Sequence, residues 1–130
     1  MEIKKALFVD DDTEYLWKLI SAVKPLGLEC RVMSNSREAV KLISREDFDV
    51  LVTDIAMPEI DGYEVIRELR NHSPGAYVIA ISGQNDENVE IRALEKGANA
   101  FLPKPLDLER FIGVLSVLFN GKANGSNAIK

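Results

Sequence analysis

The sequence predicts an α/β protein built on a doubly wound parallel sheet, with five strands and five helices in strict alternation. Three observations predict it. Short apolar runs alternate with amphipathic segments along the chain. Three of the five runs are almost unbroken by polar residues, as suits strands buried on both faces. Residues that start or stop helices bound the segments between them. Such alternation implies right-handed crossovers, with helices on both faces of the sheet.

The expected strands are Ala6 to Val9, Cys30 to Met33, Val50 to Val52, Tyr77 to Ile81 and Ala100 to Leu102. The first expected helix, 13–25, carries Leu16, Leu19, Ile20 and Val23 at helical spacing and stops at Pro25 and Gly27. The second, 36–46, starts in a Ser-Asn-Ser cluster suited to capping and carries Ala39, Val40, Leu42 and Ile43. The third, 61–71, carries Val65, Ile66 and Leu69 before the breakers Pro74 and Gly75. The fourth, 86–96, has Asp86 as its cap and Gly97 as its stop. The fifth, 107–119, begins at Asp107 and carries Leu108, Phe111, Ile112, Leu115 and Leu118. Residues 120–130 are rich in Gly, Asn and Ser and read as a flexible C-terminal tail or truncated linker.

Composition narrows the function. A chain of 130 residues, 46% hydrophobic, fits one domain with a real core. A net charge of −5 does not suggest a nucleic-acid or membrane surface, which needs clustered Lys and Arg. A single cysteine, Cys30, excludes an internal disulfide and reads as a small buried core residue. The single histidine, His72, sits at a helix end and reads as a solvated capping-region residue, so zinc sites and histidine triads are not expected. No run reaches the roughly 18 to 20 apolar residues of a membrane span. The short apolar run after Lys5 ends in three aspartates, unlike a signal peptide, and a cytoplasmic location is the default expectation.

In sheets of this kind the ligand site lies at the carboxyl ends of the strands. The first strand ends in Asp10, Asp11 and Asp12, the third in Asp54, the fourth in Ser82 and Gly83, and Lys104 and Pro105 follow the fifth. The fold would bring these groups to one edge. Clustered carboxylates raise each other's pKa. A hard divalent cation and a lysine relieve that cost, and oxygen ligands suit Mg²⁺. A metal and an ammonium around one accessible carboxylate also suit phosphoryl transfer.

Four segments together resemble the receiver domain of two-component response regulators, over about residues 4–119. They are Leu7 to Asp12, Val52 to Gly62, Ile81 to Gly83 and Gly97 to Pro105. The resemblance implies a flavodoxin-like (βα)5 sheet of strand order 2-1-3-4-5, and a receiver domain spanning 1–119. It implies that Asp54 is the phospho-acceptor, and that Mg²⁺, or Mn²⁺ in its place, is held by Asp11, Asp54 and the Ala56 backbone carbonyl. Asp10 resembles the second acid, which reaches the ion through water. Asp12 is not a required ligand and reads equally as a helix cap. Ser82 and Lys104 resemble the residues that hold the phosphoryl oxygens, with backbone groups at Ala56 and Gly83 beside them. In the family the Lys-Pro bond at 104–105 is commonly cis. Phe101 resembles the aromatic switch residue, with an ordinary core aromatic as the alternative. Met57, Pro58 and Gly62 shape the loop after Asp54. Trp17 reads as packing at the edge of the core, or else as an interface anchor.

The implied function is a switch that takes phosphate from a histidine kinase or histidine phosphotransfer protein. It would change a surface of the fourth helix, fifth strand and fifth helix for an unknown output partner or domain. It is not an enzyme acting on an external substrate, and it binds neither nucleic acid nor membrane directly. The chain would be a stand-alone regulator or the N-terminal part of a larger one. Two other classes compete. A phosphorylation-independent module on this fold would usually have lost an acid or the lysine, and all are present here. A phosphatase with an aspartate nucleophile would use the Asp-x-Asp pattern in Asp10 to Asp12, but would leave Asp54 without a role.

Overall fold

The computed structural model describes the backbone of residues 5–83 and 87–124, and side chains within these as far as residue 118. Five strands alternate with five α-helices: β1 Lys5–Val9, α1 Thr13–Val23, β2 Glu29–Met33, α2 Ser36–Ile43, β3 Val50–Asp54, α3 Gly62–His72, β4 Tyr77–Ser82, α4 Glu87–Lys96, β5 Ala100–Pro103 and α5 Leu108–Asn124. All pairings are parallel and the strand order is 2-1-3-4-5, as expected.

The two-residue period of the strands divides the core. Leu7, Val9, Leu51, Val78 and Ala80 point to one face, where Ala39, Ile43, Val65, Ile66, Leu69 and Ala93 cover them from α2, α3 and α4. Ala6, Phe8, Val50, Val52, Ile79 and Ile81 point to the other, under Leu16, Leu19, Val23, Phe111 and Leu115 of α1 and α5. Phe8 and Phe111 meet edge to face, with ring centroids 6.4 Å apart. The inner strands β1, β3 and β4 are almost wholly buried, whereas the edge strands β2 and β5 are covered less completely. Cys30 lies on edge strand β2, so it is half-buried rather than a full core residue, with its thiol donating to the Leu28 carbonyl at 3.7 Å.

Helix starts follow side-chain caps. Asp12, Asn35, Asp61 and Asp107 each accept from a backbone N–H three residues on, at 3.2, 3.0, 3.1 and 3.2 Å. Asp86 lies outside the described residues. The helix ends depart from expectation. Helix α1 stops at Val23, and Pro25, which has no N–H to donate, follows within a single 3-10 turn. Helix α2 stops at Ile43, where the Ser44 hydroxyl donates to the Lys41 carbonyl at 2.7 Å. Helix α5 continues to Asn124, so the first residues expected in the flexible tail are helical. One glycine costs a helix only about 1 kcal/mol, and Lys122 and Ala123 favour it. Residues 125–130 lie outside the described residues.

Candidate functional site

Parallel register brings the strand ends to one edge. Asp54 pairs with Ile81, and Ser82 with Pro103, so the third, fourth and fifth strands finish within a residue of one another. The ladder runs on past their ends, with Ile55 N–H donating to the Ile81 carbonyl and Lys104 N–H to the Ser82 carbonyl. Asp10 continues β1 in the same way, its N–H donating to the Met33 carbonyl of β2 at 3.2 Å.

Carboxylate oxygens of Asp10, Asp11 and Asp54 all lie within 4.8 Å of one another. Asp11 is exposed, while Asp10 is 0% and Asp54 5% accessible. Local backbone fixes the two buried acids. Asp10 Oδ1 accepts from the Asp12 N–H at 3.0 Å, and Asp54 Oδ1 from its neighbour Ile55 at 3.0 Å. The Lys104 ammonium stands 2.9 Å from Asp10 Oδ2 and 3.5 Å from Asp54 Oδ1. It meets Asp10 Oδ2 as an ion pair, off the angle of a hydrogen bond. The Lys104–Pro105 peptide is cis, the form common in the family that the motifs resemble.

Burial dominates the electrostatics. It pushes Asp54 up to about 6, helped by the charge of Asp10 and opposed by Lys104 and the Ile55 N–H. It raises Asp10 as well, against the Asp12 N–H and Lys104. At Lys104 burial favours the neutral amine, but Asp10 and Asp54 outweigh it and the pKa lies above the ordinary lysine value. The described site therefore holds more negative charge than one ammonium offsets. Three oxygen ligands this close, two of them withdrawn from water, fit a hard divalent cation.

Asp10, Asp11, Asp54 and Lys104 come together as the sequence implied. Ser82 ends β4 fully buried beside them, and Ala56 is exposed two residues past Asp54. Asp12 is the cap of α1. Phe101, on edge strand β5, is half-buried against the α2–α3–α4 side of the core. At Gly83 a Cβ would meet nothing within 4 Å, so packing among the described residues does not call for a glycine there. Gly62 does the reverse, since a Cβ there would lie 2.1 Å from the Asp54 carbonyl oxygen. Trp17 is 62% exposed, not packed at the core edge, because Leu16 and Leu19 fill the buried face of α1. His72 is exposed at the end of α3, 3.2 Å from Asp47 and away from the acids. Sequence reasoning missed Tyr15, whose ring lies under the Lys104 ammonium at 4.6 Å. Its signal was an aromatic one turn before Leu19, at the end of α1 nearest the aspartates.

Comparison with known proteins agrees with this geometry. A family model for the response regulator receiver domain matches residues 6–116. The DNA-binding transcriptional regulator NtrC of Escherichia coli K12 is 31% identical over 82% of this chain and 23% of its own length. The chain thus spans about a quarter of the length of such curated relatives. A beryllofluoride-activated NtrC4 receiver domain dimer superposes with a TM-score of 0.83 at 33% identity, over 91% of this chain and 98% of that one. A CheY-like receiver domain protein from Methanospirillum hungatei has the same fold, with a TM-score of 0.87 at 24% identity over 94% and 98% of the two chains. Fold, strand-end chemistry and these likenesses agree, and the chain belongs to the response regulator receiver family of two-component signalling.

Proposed function

We propose that Asp54 accepts a phosphoryl group from the phosphohistidine of a histidine kinase or histidine phosphotransfer protein. An Asp54 oxygen forms the bond to phosphorus as the phosphorus–nitrogen bond breaks, and the electron pair leaves with the imidazole. The observation that carries this reading is the placement of Asp54, buried among two acids with one lysine within 3.5 Å. Asp11, Asp54 and the Ala56 carbonyl would hold Mg²⁺, or Mn²⁺, with Asp10 reaching it through water. The ion when bound supplies positive charge against the carboxylates and the phosphoryl oxygens. Lys104 meets one phosphoryl oxygen, the Ser82 hydroxyl donates to another, and the Ala56 and Gly83 N–H groups line the rest.

The reaction is the domain's own modification and reset, not turnover of an external substrate. Phosphate on Asp54 draws Ser82 toward it, Phe101 turns inward, and the surface formed by α4, β5 and α5 changes for an output partner or domain. Such transfer belongs to the cytoplasm. Incubation with acetyl phosphate and Mg²⁺ tests the reading by intact mass. A single phosphoryl adduct that needs the metal is expected, and its absence contradicts the proposal. Hydrolysis of a generic phosphatase substrate would favour a hydrolase instead.

A further inference from the structure

We propose that Tyr15 is a positioning residue for Lys104, its ring forming the wall that holds the ammonium between Asp10 and Asp54. This rests on the function proposed above. Tyr15 lies in the first turn of α1, where its N–H donates to the Asp12 carboxylate at 3.2 Å. Its backbone is thereby tied to the same aspartate run that forms the acidic site. The ring is half-buried against the α1–α5 side of the core. The Lys104 ammonium sits 4.6 Å from the ring centroid, while 2.9 Å from Asp10 and 3.5 Å from Asp54. Two carboxylates and one π face therefore confine the same charge.

The hydroxyl does not explain the position. It is buried, and the Leu106 backbone N–H that faces it falls outside normal hydrogen-bond geometry, so this contact holds the side chain only weakly. What the ring offers is its negative face, which attracts a cation most strongly where water is thin. Lysine has a flexible four-carbon stem and a point charge, so it needs a wall to stay in place. The contact also does not depend on which oxygen the ammonium meets. As a phosphoryl group forms on Asp54, Lys104 can shift from Asp10 to the new oxygens while remaining over the ring. Phenylalanine would provide the same wall, and leucine would not.

The test compares Tyr15→Phe and Tyr15→Leu in the whole chain, each with and without Lys104→Ala. Initial rates of adduct formation with acetyl phosphate and Mg²⁺ are measured, and cooperative unfolding is checked for each variant. Tyr15→Phe is expected to match the wild-type rate, and Tyr15→Leu to be about three- to tenfold slower. In the Lys104→Ala background Tyr15→Leu is expected to change the rate by less than about twofold, because the two act as a unit. By NMR the Lys104 ε-methylene protons, bonded next to the ammonium that sits 4.6 Å from the ring centroid, should be shifted upfield in the wild type and Tyr15→Phe, and not in Tyr15→Leu. A Tyr15→Phe rate as low as that of Tyr15→Leu would assign the effect to the hydroxyl and overturn the proposal. So would an equal loss without Lys104, or an ε-methylene signal that Tyr15→Leu leaves in place. A wild-type chain that takes no phosphoryl group overturns the function itself and the role in transfer with it. The NMR comparison judges the ring–ammonium contact in either case.

Discussion

The Lys104 ammonium lies 2.9 Å from Asp10 Oδ2, closer than its 3.5 Å approach to Asp54. The lysine thus mainly balances a buried acid next to Asp54. Removing it leaves two buried carboxylates with no ammonium beside them, and uncompensated buried charge is costly. Lys104→Ala is expected to lose about 1 to 3 kcal/mol of stability at pH 7 without Mg²⁺, read by urea unfolding. Its rate of phosphorylation by acetyl phosphate should fall at least about tenfold.

Asp54 titrates at about 6 in the fold, against an ordinary value of 3.8. A raised acid favours folding while protonated. That contribution is fully present below the unfolded value and is lost as pH rises through about 6. Without Mg²⁺, stability attributable to Asp54 should therefore fall between about pH 4 and pH 6 and stay low above. Asp54→Asn removes that slope and should be more stable than the wild type at pH 7.5, by on the order of 2 kcal/mol. Denaturant unfolding across this pH range checks it, and an Asp54→Asn chain less stable than wild type at pH 7.5 contradicts it.

Glu59, in the loop after Asp54, has φ of 70°, a conformation that costs a residue with a Cβ about 1 to 2 kcal/mol. Its ion pair with Arg37, at 3.4 Å and exposed, returns little. Glu59→Gly and Glu59→Asn should each stabilise the fold by about 1 kcal/mol, seen as a higher thermal midpoint.

Arg70 joins α3 to the start of β5. Its guanidinium donates to the carbonyls of Gly97, Pro74 and Ala76 and to Asn99 Oδ1, which also accepts from the Val78 N–H of β4. Gly97 makes room for it: φ is 120°, and a Cβ would lie 2.8 Å from the Arg70 side chain. Arg70→Ala should cost about 2 to 4 kcal/mol by urea unfolding, and Arg70→Lys should restore little because an ammonium cannot fork across these carbonyls. The acid site is remote from this change in its bonding, and Mg²⁺-dependent phosphorylation should persist at temperatures where the variant is folded.

The sheet and most of the site were legible because both depend on local sequence. Apolar runs mark the strands, and parallel register carries every strand end to the same edge. Asp10, Asp11, Asp54 and Lys104 could thus be gathered from positions far apart in the chain. What escaped depends on packing between elements. Tyr15 meets Lys104 only because α1 lies beside the segment after β5. Arg70 resembles any solvated arginine until Gly97 is placed against it. Trp17 follows Leu16 directly, and one helical step carries it round toward solvent. The need for glycine at 62 and the lack of one at 83 are set by where the surrounding backbone passes, which residue type alone does not reveal.

Under the proposed function Asp54 receives the phosphoryl group, and its neighbours Asp10 and Asp11 do not. Peptide mapping of the adduct formed with acetyl phosphate and Mg²⁺, after borohydride reduction of the acyl phosphate, tests it most directly. The modified residue is predicted to be Asp54, with no adduct on Asp54→Asn. A modified Asp10 or Asp11 in the wild type, or an undiminished adduct on Asp54→Asn, would contradict the assignment.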